Sequence, residues 1–349
     1  MPSKVVVVGG GFCGTLVAKT LERDDELEVT LVDGTGHFEY TPEVHMLPFK
    51  HEESDEMKIS FEEILTRSRI VKGRAREITP DHVRTEGETF PYDYLVVSTG
   101  ADYPVMIPEG PDVTTLTSIE DAKLVSKRIP DSDTLLVVGG GLIGTEFCAE
   151  LATKTEGKRI VLVHSKSRLI ERNPKRASAY ARRFLESRGV DIVLGQKIVG
   201  RRGNTYLTEA GSEISADFCI WSAGLSWNPD FMRGFPDQVF SNRGQLRVNP
   251  HLQLVGYPNI FVGGDIADID EEKTAANAEG HACPIARNIR RLRTGDRLVS
   301  YRLIRMPIAI SLGDWFGILT WGRLAITGPL PRLVKHGVLH WTMFRYRNL

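Results

Sequence analysis

Short apolar runs punctuate this chain, and several of them stop at glycine. KVVVV (4–8) leads into GGGFCG (9–14), and TLLVV (134–138) leads into GGGLIG (139–144). Continuous β-branched runs of this length fit parallel strands buried on both faces. After each glycine cluster the apolar rhythm lengthens to a helical one, in TLVAKTLERD and in TEFCAELA. A further strand then follows each helix, EVTLVDG in the first half and RIVLVHSKSR (159–168) in the second. YDYLVVSTGADY (92–103), ADFCIWSAGLSWNP (216–229) and NIFVGGDIAD (259–268) predict three more buried strands, each ending in small residues.

The glycines give this repeated plan its chemistry. Gly9, Gly11 and Gly14 stand in G-x-G-x-x-G spacing between a strand and a helix, and Asp33 closes the next strand. This order is a dinucleotide-binding fingerprint, of Rossmann type. The first glycine makes the turn, the second admits a pyrophosphate, the third lets helix and strand pack, and the acid meets a ribose hydroxyl. Gly139, Gly141 and Gly144 repeat the spacing, but His164, Ser165, Lys166 and Arg168 stand where an acid would favour NADH. Acceptance of NADPH as well as NADH is therefore expected. Asp265 ends the GGD strand and is placed to bind a ribitol hydroxyl of FAD. Lys273 precedes a helix expected to begin near Thr274, aimed at the flavin. Gly10, Phe12, Ala75, Thr99, Gly100 and Gly224 complete the expected cofactor-binding set.

The first half lacks its GGD strand until residue 259, so the second unit is read as inserted into the first. The expected fold class is α/β: two Rossmann-like dinucleotide-binding domains, one inserted in the other, plus a small C-terminal α+β segment. The boundaries are 1–104 and 226–298 for the FAD domain, 105–225 for the NAD(P)H domain and 299–349 for the last segment.

Charge changes the picture only at the end of the chain. The net charge of −1 excludes a nucleic-acid binder of ordinary type. Beyond Ser300, however, Arg302, Arg305, Arg323, Arg332, Lys335, Arg345 and Arg347 face a single acid, Asp314. MPIAISLGDWFGILTWGRLAITG (306–328) reads as a hairpin. In LPRLVKHGVLHWTMFRYRNL (330–349), Leu330, Leu333, Val334, Val338, Trp341 and Phe344 share one helical face. A basic amphipathic helix with Trp and Phe suits a membrane interface. The competing reading packs that face on the flavin domain or on a second copy, as a homodimer. No run is long enough to span a bilayer, the start leaves no room for a signal peptide, and Pro2 replaces the glycine that myristoylation needs. The expected location is cytoplasmic, peripheral on a membrane. Cys13, Cys148, Cys219 and Cys283 form no CxxC pair, so neither a dithiol nor a metal site is expected.

Together these motifs resemble the two-dinucleotide-binding flavoproteins: pyridine nucleotide-disulfide reductases, type II NADH:quinone dehydrogenases and apoptosis-inducing-factor-like proteins. VVVVGGGFCG, VVGGGLIGTEFCAEL, LRVNPHLQLVGYPNIFVGGDIAD and SLGDWFGILTWGRL are most similar to the apoptosis-inducing-factor-like, ferroptosis-suppressor branch. The resemblance implies an FAD enzyme that takes a hydride from NADH or NADPH and reduces a ubiquinone-like membrane quinone. It also implies two catalytic residues. The family's glutamate, two residues beyond the third glycine of the second loop, falls on Glu146 in the first turn of that helix, and its C-terminal lysine falls on Lys335. The AQxxxQ quinone motif of the respiratory enzymes reads AANAEG here, so their quinone pocket does not carry over. Rival readings are a respiratory type II NADH dehydrogenase, a sulfide:quinone reductase, or a redox-sensing cell-death flavoprotein without turnover. Cys148 and Cys283 are not expected to handle sulfide.

Overall fold

Val5–Val8 are buried, as a strand covered on both faces requires. They belong to Ser3–Val8, the centre of a five-stranded sheet ordered 260–262, 94–97, 3–8, 27–33, 69–72, all parallel. Thr134–Val138 holds the same place in a second parallel sheet, ordered 113–115, 218–221, 134–138, 159–164, 190–194. Register repeats with order. Val7 pairs with Leu31 on one side and Val96 on the other; Val137 pairs with Leu162 and Ile220. Phe261 pairs with Val96, which puts the late GGD strand in the first sheet, as insertion of one unit into the other demands. This computed structural model describes residues 1–108, 110–227 and 229–349.

In each sheet the central strand leads into the glycine loop, and the small-residue strand pairs beside it. The carboxyl ends of these two strands meet where the connections diverge, the usual ligand crevice of open α/β sheets. Each sheet also carries a small antiparallel meander, 77–78 with 82–84 and 89–91, and 198–202 with 205–208 and 213–215.

The C-terminal segment departs from the expected hairpin. Ile308–Leu312, Phe316–Trp321 and Leu324–Gly328 form a three-stranded antiparallel sheet, with reversals at Gly313 and Gly322, both left-handed (φ 66° and 56°). Helix Pro329–Arg347 follows, with proline in its first turn where no N–H is needed. Its orientation corrects one expected packing. Leu330, Leu333, Val334, Val338, Trp341 and Phe344 are exposed, so the apolar stripe does not cover the flavin domain. The inner face is Pro331, Arg332, Lys335, Leu339, Thr342, Met343 and Tyr346. Charge decides this orientation, because the body offers buried carboxylates at Glu43 and Glu146 and cations must face them. Among the described residues no helix is long and apolar enough to cross a membrane.

Candidate functional site

The two glycine loops superimpose in their bonding as well as their sequence. A Cβ on Gly14 would collide with the Gly9 carbonyl, and one on Gly144 with the Gly139 carbonyl, so both helices need glycine there to approach the strand. Ser98 Oγ donates to the carbonyls of Val8 (3.1 Å) and Gly9 (2.9 Å); Ser222 Oγ does the same to Val138 (3.2 Å) and Gly139 (3.3 Å). Thr15 Oγ1 and Thr145 Oγ1 close the loops on the carbonyls of Gly10 and Gly140. Gly11 and Gly141, the helix N-caps, face open space, with no capping side chain and no acid in the first turn. The first N–H groups of both helices are thus available to phosphate.

The loops differ one strand later. Asp33 Oδ2 accepts from the Gly10 N–H at 2.7 Å, and its Oδ1 accepts from Thr35 N and Oγ1. One lone pair on Oδ2 remains for a ribose hydroxyl. In the second loop His164 takes the aspartate's place, its Nδ1 accepting from the Gly140 N–H at 3.0 Å. Arg168 donates to the Glu171 and Asn173 carbonyls. Ser165 and Lys166 are exposed beside it.

The other expected cofactor residues are placed as follows. Thr99 and Gly100 end the strand beside Gly9, and Gly224 ends its counterpart beside Gly139. Ala75 packs against the core under the first sheet. Phe12 sits edge-on to Phe38 (5.0 Å between centroids) and to Tyr346 (6.1 Å). Burial raises the Asp265 carboxyl above the ordinary range, opposed by Lys273 and His281. Lys273 Nζ donates to the carbonyls of Ala267 (2.9 Å) and Ile269 (3.3 Å), which ties it to the GGD loop. Thr274 caps the following helix, Ala275–Thr294, as expected.

Glu146 and Lys335 meet although 189 residues separate them. Glu146 lies in the second turn of helix Leu142–Lys154, one turn later than expected. Its Oε1 accepts from Ser311 N at 2.7 Å, from Ser311 Oγ at 3.1 Å and from Lys335 Nζ. Burial raises Glu146 above the ordinary carboxylate range, opposed by Lys335 and the Ser311 N–H. Burial works against the Lys335 ammonium, but Glu146 and Glu43 outweigh it and hold its pKa above the usual lysine value. Helix Pro329–Arg347 then reaches the first loop, where Tyr346 stacks on Phe38 at 4.2 Å and its hydroxyl donates to the Phe12 carbonyl at 3.2 Å. One helix thus touches both loops.

Sequence reasoning missed Glu43, His45, Ser311 and Arg332, which surround this pair. His45 Nε2 lies 2.8 Å from Ser311 Oγ, and Glu43 Oε1 lies 3.7 Å from Lys335 Nζ and 3.8 Å from Arg332 Nη1. No motif marks them. The one available signal was the placing of Glu43 and His45 in an otherwise apolar stretch, PEVHMLPF.

The family model for pyridine nucleotide-disulphide oxidoreductases matches residues 3–282. The chain belongs to that family. It is an FAD-dependent oxidoreductase of the kind that uses NAD(P)H, and the residues present fit both groups: two open helix N-termini, each behind a loop that only glycine can form. All four cysteines are free, so the disulphide of the family's name has no counterpart here. The chain is 29% identical over 348 residues to apoptosis-inducing factor homolog B of Dictyostelium discoideum, covering 90% of this chain and 88% of the relative. It is 32% identical over 330 residues to ferroptosis suppressor protein 1 of Taeniopygia guttata, covering 90% and 87%. In fold it matches the sulfide:quinone oxidoreductase of Aquifex aeolicus (TM-score 0.89, 19% identity, 99% and 92% covered). It matches equally the NDH2 of Plasmodium falciparum in complex with NADH (TM-score 0.88, 14% identity, 99% and 96% covered).

Proposed function

We propose that this flavoprotein oxidises NADH or NADPH and reduces a membrane quinone to the quinol. Helix Pro329–Arg347 carries the reading. Its inner face brings Lys335 to Glu146, beside the second loop, while its outer face presents an apolar surface. Trp321, Leu324, Ile326, Leu303, Ile304 and Met306 are also exposed in the C-terminal segment, and Trp321 Nε1 donates to the Arg305 carbonyl at 3.1 Å. Arg302, Arg305 and Arg323 are exposed in the same segment. Exposed apolar side chains and arginines in one segment suit an anionic membrane, where a quinone is dissolved.

FAD, when bound, supplies the two-electron chemistry. This chain's residues bind, orient and exclude water. The N-termini of the two loop helices hold the phosphates. Phe12, Phe38 and Tyr346 close the first loop from solvent. Glu146 stations the Lys335 ammonium, whose Nζ holds the proton that the quinol needs. A sulfide substrate has less support, because Cys148 is fully buried and burial pushes its thiol far up. Anaerobic NADH or NADPH should bleach the bound flavin, and a short-chain ubiquinone or menadione should restore its colour. A flavin that stays oxidised would remove the reading, and recovery driven by sulfide instead of nicotinamide would move it to the sulfide enzymes.

A further inference from the structure

The Glu146–Lys335 pair uses only part of the buried charge around it. Both carboxylate oxygens of Glu43 are buried without a hydrogen-bond donor, and Nε and Nη1 of Arg332 are buried without an acceptor. Glu43 Oε1 stands 3.7 Å from Lys335 Nζ and 3.8 Å from Arg332 Nη1, and its Oε2 stands 4.0 Å from His45 Nε2. Buried ions that stop short of hydrogen-bond distance cost stability, so their retention calls for a reason other than folding. His45 joins the pair through an unbroken chain. Its Nε2 is 2.8 Å from Ser311 Oγ, Ser311 Oγ is 3.1 Å from Glu146 Oε1, and Lys335 Nζ donates to that same oxygen. Because the Ser311 hydroxyl donates to Glu146, the imidazole hydrogen sits on Nε2 and donates to Ser311.

We propose that His45 is the residue that reloads Lys335 with a proton, through Ser311 and Glu146, and that Glu43 supplies the charge that makes His45 basic once Lys335 has discharged. The inference rests on the quinone reading above. NAD(P)H, one proton and a quinone give NAD(P)⁺ and a quinol, and the hydride carries both electrons and one hydrogen. The other hydrogen comes from Lys335. One N–H bond breaks, its electron pair stays on Nζ, and an O–H bond forms on the quinol. Glu43 and Glu146 then face a single cation, Arg332, and the cluster holds an excess negative charge. A proton taken up by His45 moves onward in steps. The Nε2 hydrogen passes to Ser311 Oγ, the Ser311 hydrogen to Glu146, and the Glu146 hydrogen to Nζ. Lys335 is again an ammonium and His45 is neutral with its hydrogen on Nδ1; loss of that hydrogen and return of one to Nε2 restore the starting tautomer before the next turnover.

The surroundings of His45 agree with this sequence of states. Facing it are Glu43 on its own segment, Glu146 and Lys154 on helix Leu142–Lys154, and Arg332 and Lys335 on helix Pro329–Arg347. Burial, then Lys335, Arg332 and Lys154, hold the imidazole well below its ordinary range, against the opposing pull of the Pro42 carbonyl. Loss of the Lys335 charge removes the largest of the charge effects.

Lys335→Met fixes the discharged arrangement. In FAD-loaded protein with ¹⁵N-labelled histidine, the wild-type His45 ring should stay neutral through the range where an ordinary histidine protonates, with its signal assigned by its loss in His45→Gln. In Lys335→Met its protonation midpoint should rise by about one pH unit or more, and Glu43→Gln added to that variant should lower it again. An identical His45 titration in wild type and Lys335→Met overturns the proposal. In rapid mixing, His45→Gln and, as a second variant, Ser311→Ala should slow flavin reoxidation by quinone about tenfold or more relative to flavin reduction by NADH. Unchanged reoxidation in both variants also overturns it. If NADH fails to reduce the wild-type flavin, the quinone reading falls, whereas the NMR titration still decides the coupling of His45 to Lys335.

Discussion

Replacing Lys335 with methionine should destabilise the protein strongly, and more at alkaline than at acid pH. The side chain is buried and faces two carboxylates, Glu146 in hydrogen-bond contact and Glu43 at 3.7 Å. At an effective dielectric of about 20, a pair at that longer distance attracts by roughly 4–5 kcal/mol before desolvation is counted. Removing one partner of a buried pair costs about 3–5 kcal/mol net, because the other charge is left uncompensated. In a chain of 349 residues that is a fall of roughly 4–7 °C in thermal midpoint. The sign with pH follows from Glu146. Burial already raises its folded pKa above the unfolded value, and Lys335 is the main opposing influence. Without Lys335 the folded pKa rises further. A carboxyl raised on folding favours the fold while protonated and loses that contribution as pH climbs from the unfolded toward the folded value. The deficit of Lys335→Met against wild type should thus be smaller near pH 5 than near pH 8. Glu146→Gln combined with Lys335→Met should recover part of the loss, since neither charge is then buried alone. Thermal unfolding of the FAD-loaded proteins at both pH values measures this. A Lys335→Met protein as stable as wild type at pH 8, or a double variant less stable than both singles, would refute the argument.

Other outcomes separate the parts of the site. Gly14→Ala drives a methyl into the Gly9 carbonyl and should abolish FAD retention, whereas Gly144→Ala should leave the protein yellow and weaken NAD(P)H binding; absorbance after gel filtration and NADH titration distinguish them. His164→Asp copies the Gly10–Asp33 bond into the second loop and should lower kcat/KM for NADPH relative to NADH by about tenfold, as a carboxylate there repels a 2′-phosphate. An unchanged ratio would show that Ser165 and Lys166 alone set the preference. Trp321→Ser with Trp341→Ser removes two exposed aromatic anchors and should reduce flotation with anionic liposomes, leaving flavin content unaltered; full flotation would sink the membrane reading.

Glycine spacing and strand pattern by themselves determined both nucleotide loops, the insertion of one unit in the other, and the asymmetry between Asp33 and His164. They could do so because a tight strand-to-helix turn, a close phosphate approach and a buried parallel strand are local demands, each met by few residue types. Glu146 and Lys335 were also reached from the chain, but by likeness to a family and not from any local rule. The rest was decided in three dimensions. An amphipathic pattern tells that helix Pro329–Arg347 has two faces, but not which one turns inward. A membrane-facing stripe and a packed one were both open from the pattern; the stripe lies outside, because Glu43 and Glu146 are buried and the face bearing Arg332 and Lys335 turns to them. Lys273 and Arg168 carried charge at plausible positions, and only the fold shows that both donate to backbone carbonyls. Glu43, His45 and Ser311 had no signature, since what joins them to Glu146 is contact among four elements far apart in sequence. Pairing of buried charge acts through space, so only the folded chain could show it.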